Sequence, residues 1–222
     1  MCLIKQRANN PEQKALRRQQ ILNATRQRFT DLPYEDVNLN HIAQDVGMTK
    51  AALYRYFRNK ETLFLALFVE TLNDLVKSAE QESHHVSLAQ AITNTLLANP
   101  IYCKLSAILH TILERNLTLD EAKQFKQTLL VLMAKYAQLL GEHDAFKLSL
   151  SQDSSISILM QVQQALIGVW HVTHPVGAIA AVIEHSPLDI FKQDFGKTLL
   201  THIQKIVSLE VKQTPSIFGN HD

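Results

Sequence analysis

Residues 49–60, TKAALYRYFRNK, set three aromatics, Tyr54, Tyr56 and Phe57, among four cations, Lys50, Arg55, Arg58 and Lys60. Tyrosine hydroxyls donate to phosphate oxygens, cations pair with them, and side chains at the start of a helix reach base edges. The chemistry suited to such a stretch is the binding of a polyanion. Charge supports this. The chain has 22 Lys and Arg against 21 Asp and Glu, yet residues 1–60 hold eleven Lys and Arg against five Asp and Glu. The first 60 residues therefore carry +6 (11 − 5) and the remaining 162 carry −5 (11 − 16). A basic head on an acidic body points to a polyanionic partner for the head.

Ten histidines invite a search for catalysis or metal binding. His110 and Glu114 are four apart on one expected helix, with Cys103 two turns earlier, and His171 and His174 flank a helix end. Neither group has the ligand set of a known zinc or helical di-iron site. No phosphate-cradling glycine loop and no nucleophile elbow occurs. A metal-dependent helical enzyme is a remote alternative; no metal, cofactor or catalytic residue is expected.

The elements that must position the basic stretch are helical. The chain is 46% hydrophobic with only six Gly and six Pro, and Val, Ile and Thr do not form alternating runs. No apolar run approaches the ~20 residues that cross a bilayer, and the start lacks the apolar core of a secretory signal. Two cysteines, Cys2 and Cys103, fit a reducing interior, so a cytoplasmic, non-membrane protein is expected. A first helix spans about 13–30, with Leu16, Ile21, Leu22, Thr25 and Phe29 as its stripe and Arg17, Arg18 and Arg26 off it. Asn38 caps a short second helix, LNHIAQDV, ended by Gly47. Thr49 caps a third, KAALYRYF, so that two short helices flank a tight turn, the layout of a helix-turn-helix. In this arrangement Leu53 and Phe57 face Ile42, Val46 and the first helix. Asn59 caps a fourth helix to about residue 79. Helices then follow over 88–98, 101–115, from a Thr118–Glu121 capping box to about 140, 153–171, 177–184 and 189–210. The fold expected is all-α with about nine or ten helices, a head over 12–60, a body over 61–212, and loose termini at 1–11 and 213–222.

Residues 37–68, VNLNHIAQDVGMTKAALYRYFRNKETLFLALF, resemble the DNA-binding segment of the tetracycline-repressor family of transcriptional regulators. The matching positions are Ile42-Ala43, Gly47-Met48-Thr49, Leu53-Tyr54-Arg55-Tyr56-Phe57, Lys60 and Leu63. Asn38 stands where Thr or Ser is usual, and DLPY replaces a common Gly-aromatic turn, which leaves the path of that loop open. The resemblance implies double-stranded DNA with a palindromic operator as partner, bound by a homodimer. Thr49, Lys50 and Ala51 then reach bases. Asn38, Tyr54, Tyr56 and Lys60 contact phosphates, and Arg18, Arg55 and Arg58 are further candidate DNA contacts.

For the body, the resemblance implies that the last two long helices pair with their copies. The candidate dimer residues are Ile158, Val162, Leu166, Val169, Phe191, Phe195, Leu199, His202 and Ile206. The first of these helices is apolar nearly all round, which independently calls for cover from a partner. The middle helices imply a pocket for an unidentified small-molecule effector. Its candidate lining is Phe68, Leu72, Tyr102, Leu105, Leu109, Phe125, Leu129, Met133, Met160, Gln164 and Trp170, each of which ordinary core packing also explains. ILERN, FK and GVW resemble a C-terminal pattern of one subset of the family. The function expected is a ligand-responsive regulator, most commonly a repressor. The alternative is a DNA-binding regulator controlled by a protein partner or by its abundance.

Overall fold

In the computed structural model the described residues are 10–81, 85–142 and 150–213; most of the expected loose termini and of the joint after residue 141 lies outside them, while Asn10 and Pro11, expected to be loose, cap and open the first helix. Among these residues all regular structure is helical. The helices are α1 (Pro11–Asp31), α2 (Leu39–Asp45), α3 (Lys50–Leu53), α4 (Lys60–Glu80), α5 (Leu88–Leu97), α6 (Pro100–Ile108), α7 (Leu119–Gly141), α8 (Gln152–Thr173), α9 (Gly177–Val182) and α10 (Phe195–Gln213). A π-turn at Leu109–Leu113 follows α6, and a 3₁₀ turn at Leu188–Phe191 precedes α10. No single described helix is long and apolar enough to cross a membrane.

Side-chain caps fix the starts of these helices. Asn10, Asn38, Thr49 and Ser87 accept from backbone N–H groups of α1, α2, α3 and α5. Asn59 Oδ1 accepts from Thr62 N at 2.8 Å, opening α4. The Thr118–Glu121 capping box closes in both directions, Thr118 N to Glu121 Oε2 at 2.8 Å and Glu121 N to Thr118 Oγ1 at 3.3 Å.

The chain folds as two compact units. The first holds residues 10–71 and 108–125, the second 72–107 and 126–213. The division therefore falls inside α4, past the expected boundary at residue 60. The cause is the packing of early α4 within the first unit. Phe64 stacks edge-on against Phe29 and Tyr34 at 5.1 and 4.8 Å, and Phe68 against Phe125 at 6.1 Å.

Several expected elements change. Leu16 is exposed while Arg17 and Gln20 are buried. Arg17 turns inward because its Nη1 donates to the α2 C-cap carbonyl of Val46 at 2.9 Å and to Gln20 Oε1 at 3.1 Å. The helix α3 stops at Leu53 rather than Phe57; a tighter turn continues, with Arg55 N donating to Ala52 O and Tyr56 N to Leu53 O. The helix expected over 101–115 breaks into α6 and the π-turn. The last helix starts at Phe195 rather than 189, because Lys192 is extended and the Asp194 side chain accepts from Lys197 N at 2.8 Å as a new N-cap.

Candidate nucleic-acid interface

The site is built on a small core. Ile42, Ala43, Val46, Leu53 and Phe57 are buried with Ile21, Leu22 and Phe29 of α1. Between α2 and α3, Gly47 takes φ 65°, the left-handed region that ends a helix at little cost only for glycine. Met48 N then donates to Ala43 O at 2.9 Å and locks the turn. The Thr49 hydroxyl accepts from Ala52 N at 3.2 Å, fixing the first turn of α3.

This geometry sorts the expected DNA residues. Thr49, Lys50 and Ala51 are exposed at the start of α3. Tyr54 is exposed and lies beneath the Lys50 ammonium, which stands 5.8 Å from its ring. Arg55 is exposed and Tyr56 half-buried. Asn38 is exposed, with its carbonyl oxygen capping α2 through Asn40 N at 2.8 Å and its amide nitrogen left as a donor. The Arg18 guanidinium stacks 5.1 Å from the Phe57 ring.

Two expected DNA contacts are held elsewhere. The Lys60 ammonium donates to the carbonyl of Tyr34 and, at 3.3 Å, to that of Glu35, and lies 4.2 Å from the Tyr34 ring. It fixes the DLPY loop, whose path the sequence left open, and its burial there lowers its pKa. Arg58 donates Nε to Glu121 Oε1 at 2.9 Å and Nη2 to Glu121 Oε2 at 2.7 Å, and Nη2 also reaches Asn116 O at 2.6 Å. Both cations serve the protein's own fold, which a sequence pattern of basic residues does not distinguish from phosphate binding.

The expected body residues are also redistributed. In the second unit, Leu72, Tyr102 and Leu105 are buried; Leu129, Met133 and Trp170 are half-buried. Phe68, Leu109 and Phe125 are buried in the first unit. Met160, 53% exposed, and Gln164 face outward and line no core. The inward glutamine is Gln163, whose Oε1 accepts from the Tyr102 hydroxyl at 2.9 Å. Among the dimer candidates, Ile158, Val162, Leu166, Val169 and Leu199 are enclosed within the single chain. Phe191 sits on the 3₁₀ turn, off α10. Phe195 and Ile206 are half-buried and His202 is exposed. Outward on α8 are Met160, Gln164, Gly168 and Val172, each four residues from the next.

Among the described residues no three His, Cys, Asp or Glu side chains gather for a metal. His110 Nδ1 pairs with Glu114 Oε2 at 2.9 Å, and His171 Nε2 bonds Ala107 O at 3.1 Å. Cys103 donates to Leu96 O at 3.3 Å, and burial pushes its thiol up to about 12, far from a reactive thiolate.

Comparison with known proteins also divides the chain within α4. Residues 21–67 match the sequence model described as "Bacterial regulatory proteins, tetR family", and residues 64–208 match "Tetracyclin repressor-like, C-terminal domain", more than half of the chain. An HTH-type transcriptional repressor of Mycobacterium tuberculosis is 34% identical over 68 residues, 31% of this chain and 36% of that protein. The HTH-type transcriptional repressor AcnR of Corynebacterium diphtheriae is 36% identical over 66 residues, 30% of this chain and 33% of its own. Each match thus spans about a third of the curated relative. Among solved structures, a TetR transcriptional regulator from Rhodococcus sp. RHA1 aligns with TM-score 0.55 and 17% identity, covering 92% of this chain and 99% of that one. It shares the fold.

Proposed function

The chain belongs to the tetracycline-repressor family of transcriptional regulators, DNA-binding proteins rather than enzymes, and from that premise we propose that it acts as an effector-responsive homodimer on a palindromic operator. The observation that carries the DNA part is the locked turn at Gly47. It leaves Thr49, Lys50 and Ala51 exposed while Leu53 and Phe57 hold the helix to its core. Side chains at this end of a recognition helix read base edges in the major groove. Tyr54, Tyr56 and the Asn38 amide donate to phosphates, and Arg18 and Arg55 add charge there. Lys60 and Arg58 support the head from behind.

Two such heads bind half-sites about one helical turn apart, ~34–36 Å. In the dimer, DNA selects one head spacing and an effector held by the body selects another, so that effector binding shifts the population away from the operator. The helices α4 and α7 each have residues in both compact units, and α4, which follows the basic head directly in the chain, is the mechanical link of this reading. Release of a repressor is the commonest outcome of such coupling.

Selection of bound sequences from random duplexes tests the reading. An inverted repeat is expected. Lys50→Ala should change the selected bases, and Tyr54→Phe should weaken binding to every sequence about three- to tenfold, the loss of one phosphate hydrogen bond. Recovery of unrelated sequences, or an unchanged preference in Lys50→Ala, would overturn the base-reading assignment. A molecule that binds the body tightly yet leaves operator affinity unchanged would overturn the coupling.

A further inference from the structure

Three polar side chains meet inside the second unit on otherwise apolar helix faces. Tyr102 and Ser106 are one turn apart on α6, and Gln163 comes from α8. The Tyr102 hydroxyl donates to Gln163 Oε1 at 2.9 Å. The other half of that amide, Nε2, is closed off from solvent and has no hydrogen-bond partner among the described residues. The Ser106 hydroxyl, in a residue with no solvent exposure, lies beside the Tyr102 hydroxyl. Leu105 on α6 and Leu159 and Leu166 on the Gln163 face of α8 are all buried.

A buried donor without an acceptor costs about 1–3 kcal/mol, and an apolar side chain of the same shape avoids that cost. Oε1 serves the Tyr102 hydroxyl, but the fold gives Nε2 no acceptor. We infer that Gln163 is the polar recognition point for the effector: a neutral, mainly apolar small molecule that presents one hydrogen-bond acceptor, such as a ketone, ester or amide carbonyl, to Nε2. The inference rests on the reading of the chain as effector-responsive. Tyr102 is a positioning residue; by holding Oε1 it turns Nε2 toward the ligand. The ligand is neutral because this environment opposes charge. Burial raises the pKa of the Tyr102 hydroxyl, and the same desolvation would penalise a carboxylate or phosphate brought beside it. One donor in an apolar wall also gives selectivity, since a molecule without an acceptor leaves it unpaired.

Two probes and the full chain test this. Nile red is neutral, apolar and carries one ring carbonyl; diphenylhexatriene is apolar with no acceptor. The wild-type protein is expected to bind both. Gln163→Met should weaken Nile red roughly five- to tenfold, the loss of a hydrogen bond to a buried acceptor, and should shift its bound emission to the blue as the carbonyl loses its donor. Diphenylhexatriene should bind as before or more tightly. Tyr102→Phe should weaken Nile red by a smaller factor in the same direction, and with Ser106→Ala it carries the comparison if Gln163→Met fails to fold. Equal Nile red affinity and emission in wild type and variants would overturn the role of the amide while leaving an effector-responsive body intact. Equal loss of both probes would mean a general collapse of the core and would overturn it too. Failure of the wild-type protein to bind either probe would bring down the effector reading, and this inference with it.

Discussion

Arg58 and Glu121 form a bidentate pair whose carboxylate also accepts from the Thr118 backbone N–H. Arg58 first, and then the Thr118 N–H, hold the Glu121 carboxyl down at about 2. A carboxyl depressed in the folded state stabilises the fold above its unfolded pKa, near 4.3, and loses that contribution as pH falls from there toward 2. Glu121→Gln is therefore expected to melt below wild type at pH 6 and to meet it near pH 2, in thermal unfolding followed across that range. Lys60 and Arg55 separate two uses of a cation. Lys60 is engaged with the carbonyls of Tyr34 and Glu35, whereas Arg55 is exposed beside the recognition helix. Lys60→Met should cost about 1–2 kcal/mol of stability and leave the salt dependence of DNA binding unchanged. Arg55→Ala should reduce the slope of log K against log salt by about one with little change in melting temperature. Titrations of DNA affinity at several salt concentrations distinguish the two.

The turn between α2 and α3 is the element on which the DNA face depends. A Cβ added at Gly47 would meet nothing within 4 Å, so the cost of a side chain there is entirely that of φ 65°. Gly47→Val should destabilise by about 1–2 kcal/mol, and Gly47→Asn by less, since Asn tolerates the left-handed region; thermal denaturation of the pair checks this. Elements of this kind were legible from sequence because their signals are local. Asn38, Thr49, Asn59 and the Thr118–Glu121 box announce helix starts within a few residues, and they cap as read. What was not legible depends on distant partners or on phase. Arg17 turns inward for the carbonyl of Val46, 29 residues away. The helix α8 is apolar nearly all round, so its periodicity carries no phase. The sequence therefore suggests Gln164 as inward where Gln163 is, and Ile158, Val162 and Leu166 as partner-facing where they fill the chain's own core. Asp194 was a readable N-cap, but the apolar Phe191 ahead of it drew the helix start too early.

At the scale of the whole molecule, the +6 carried by the first 60 residues gains affinity for a polyanion, but one head on one half-site gains little. Joining two heads makes the second contact intramolecular, and the gain is large when the spacing fits. The surface we propose for that pairing is the outward line of α8, Met160, Gln164, Gly168 and Val172. Gly168 has open space around it, which allows close approach of another helix. Further exposed apolar residues, Val176, Ile179, Ile190 and Phe191, follow in the connection to α10, and apolar surface of this kind calls for cover. Introducing charge at two positions of the α8 line, Met160→Glu with Gly168→Glu, should leave the single-chain core intact, since neither residue is part of it. Sedimentation is expected to show a monomer, and affinity for the full operator to fall roughly a hundredfold or more, while affinity for an isolated half-site is unchanged. A variant that stays dimeric with full operator affinity would place the pairing surface elsewhere. A monomer that keeps full operator affinity would remove pairing from DNA recognition altogether.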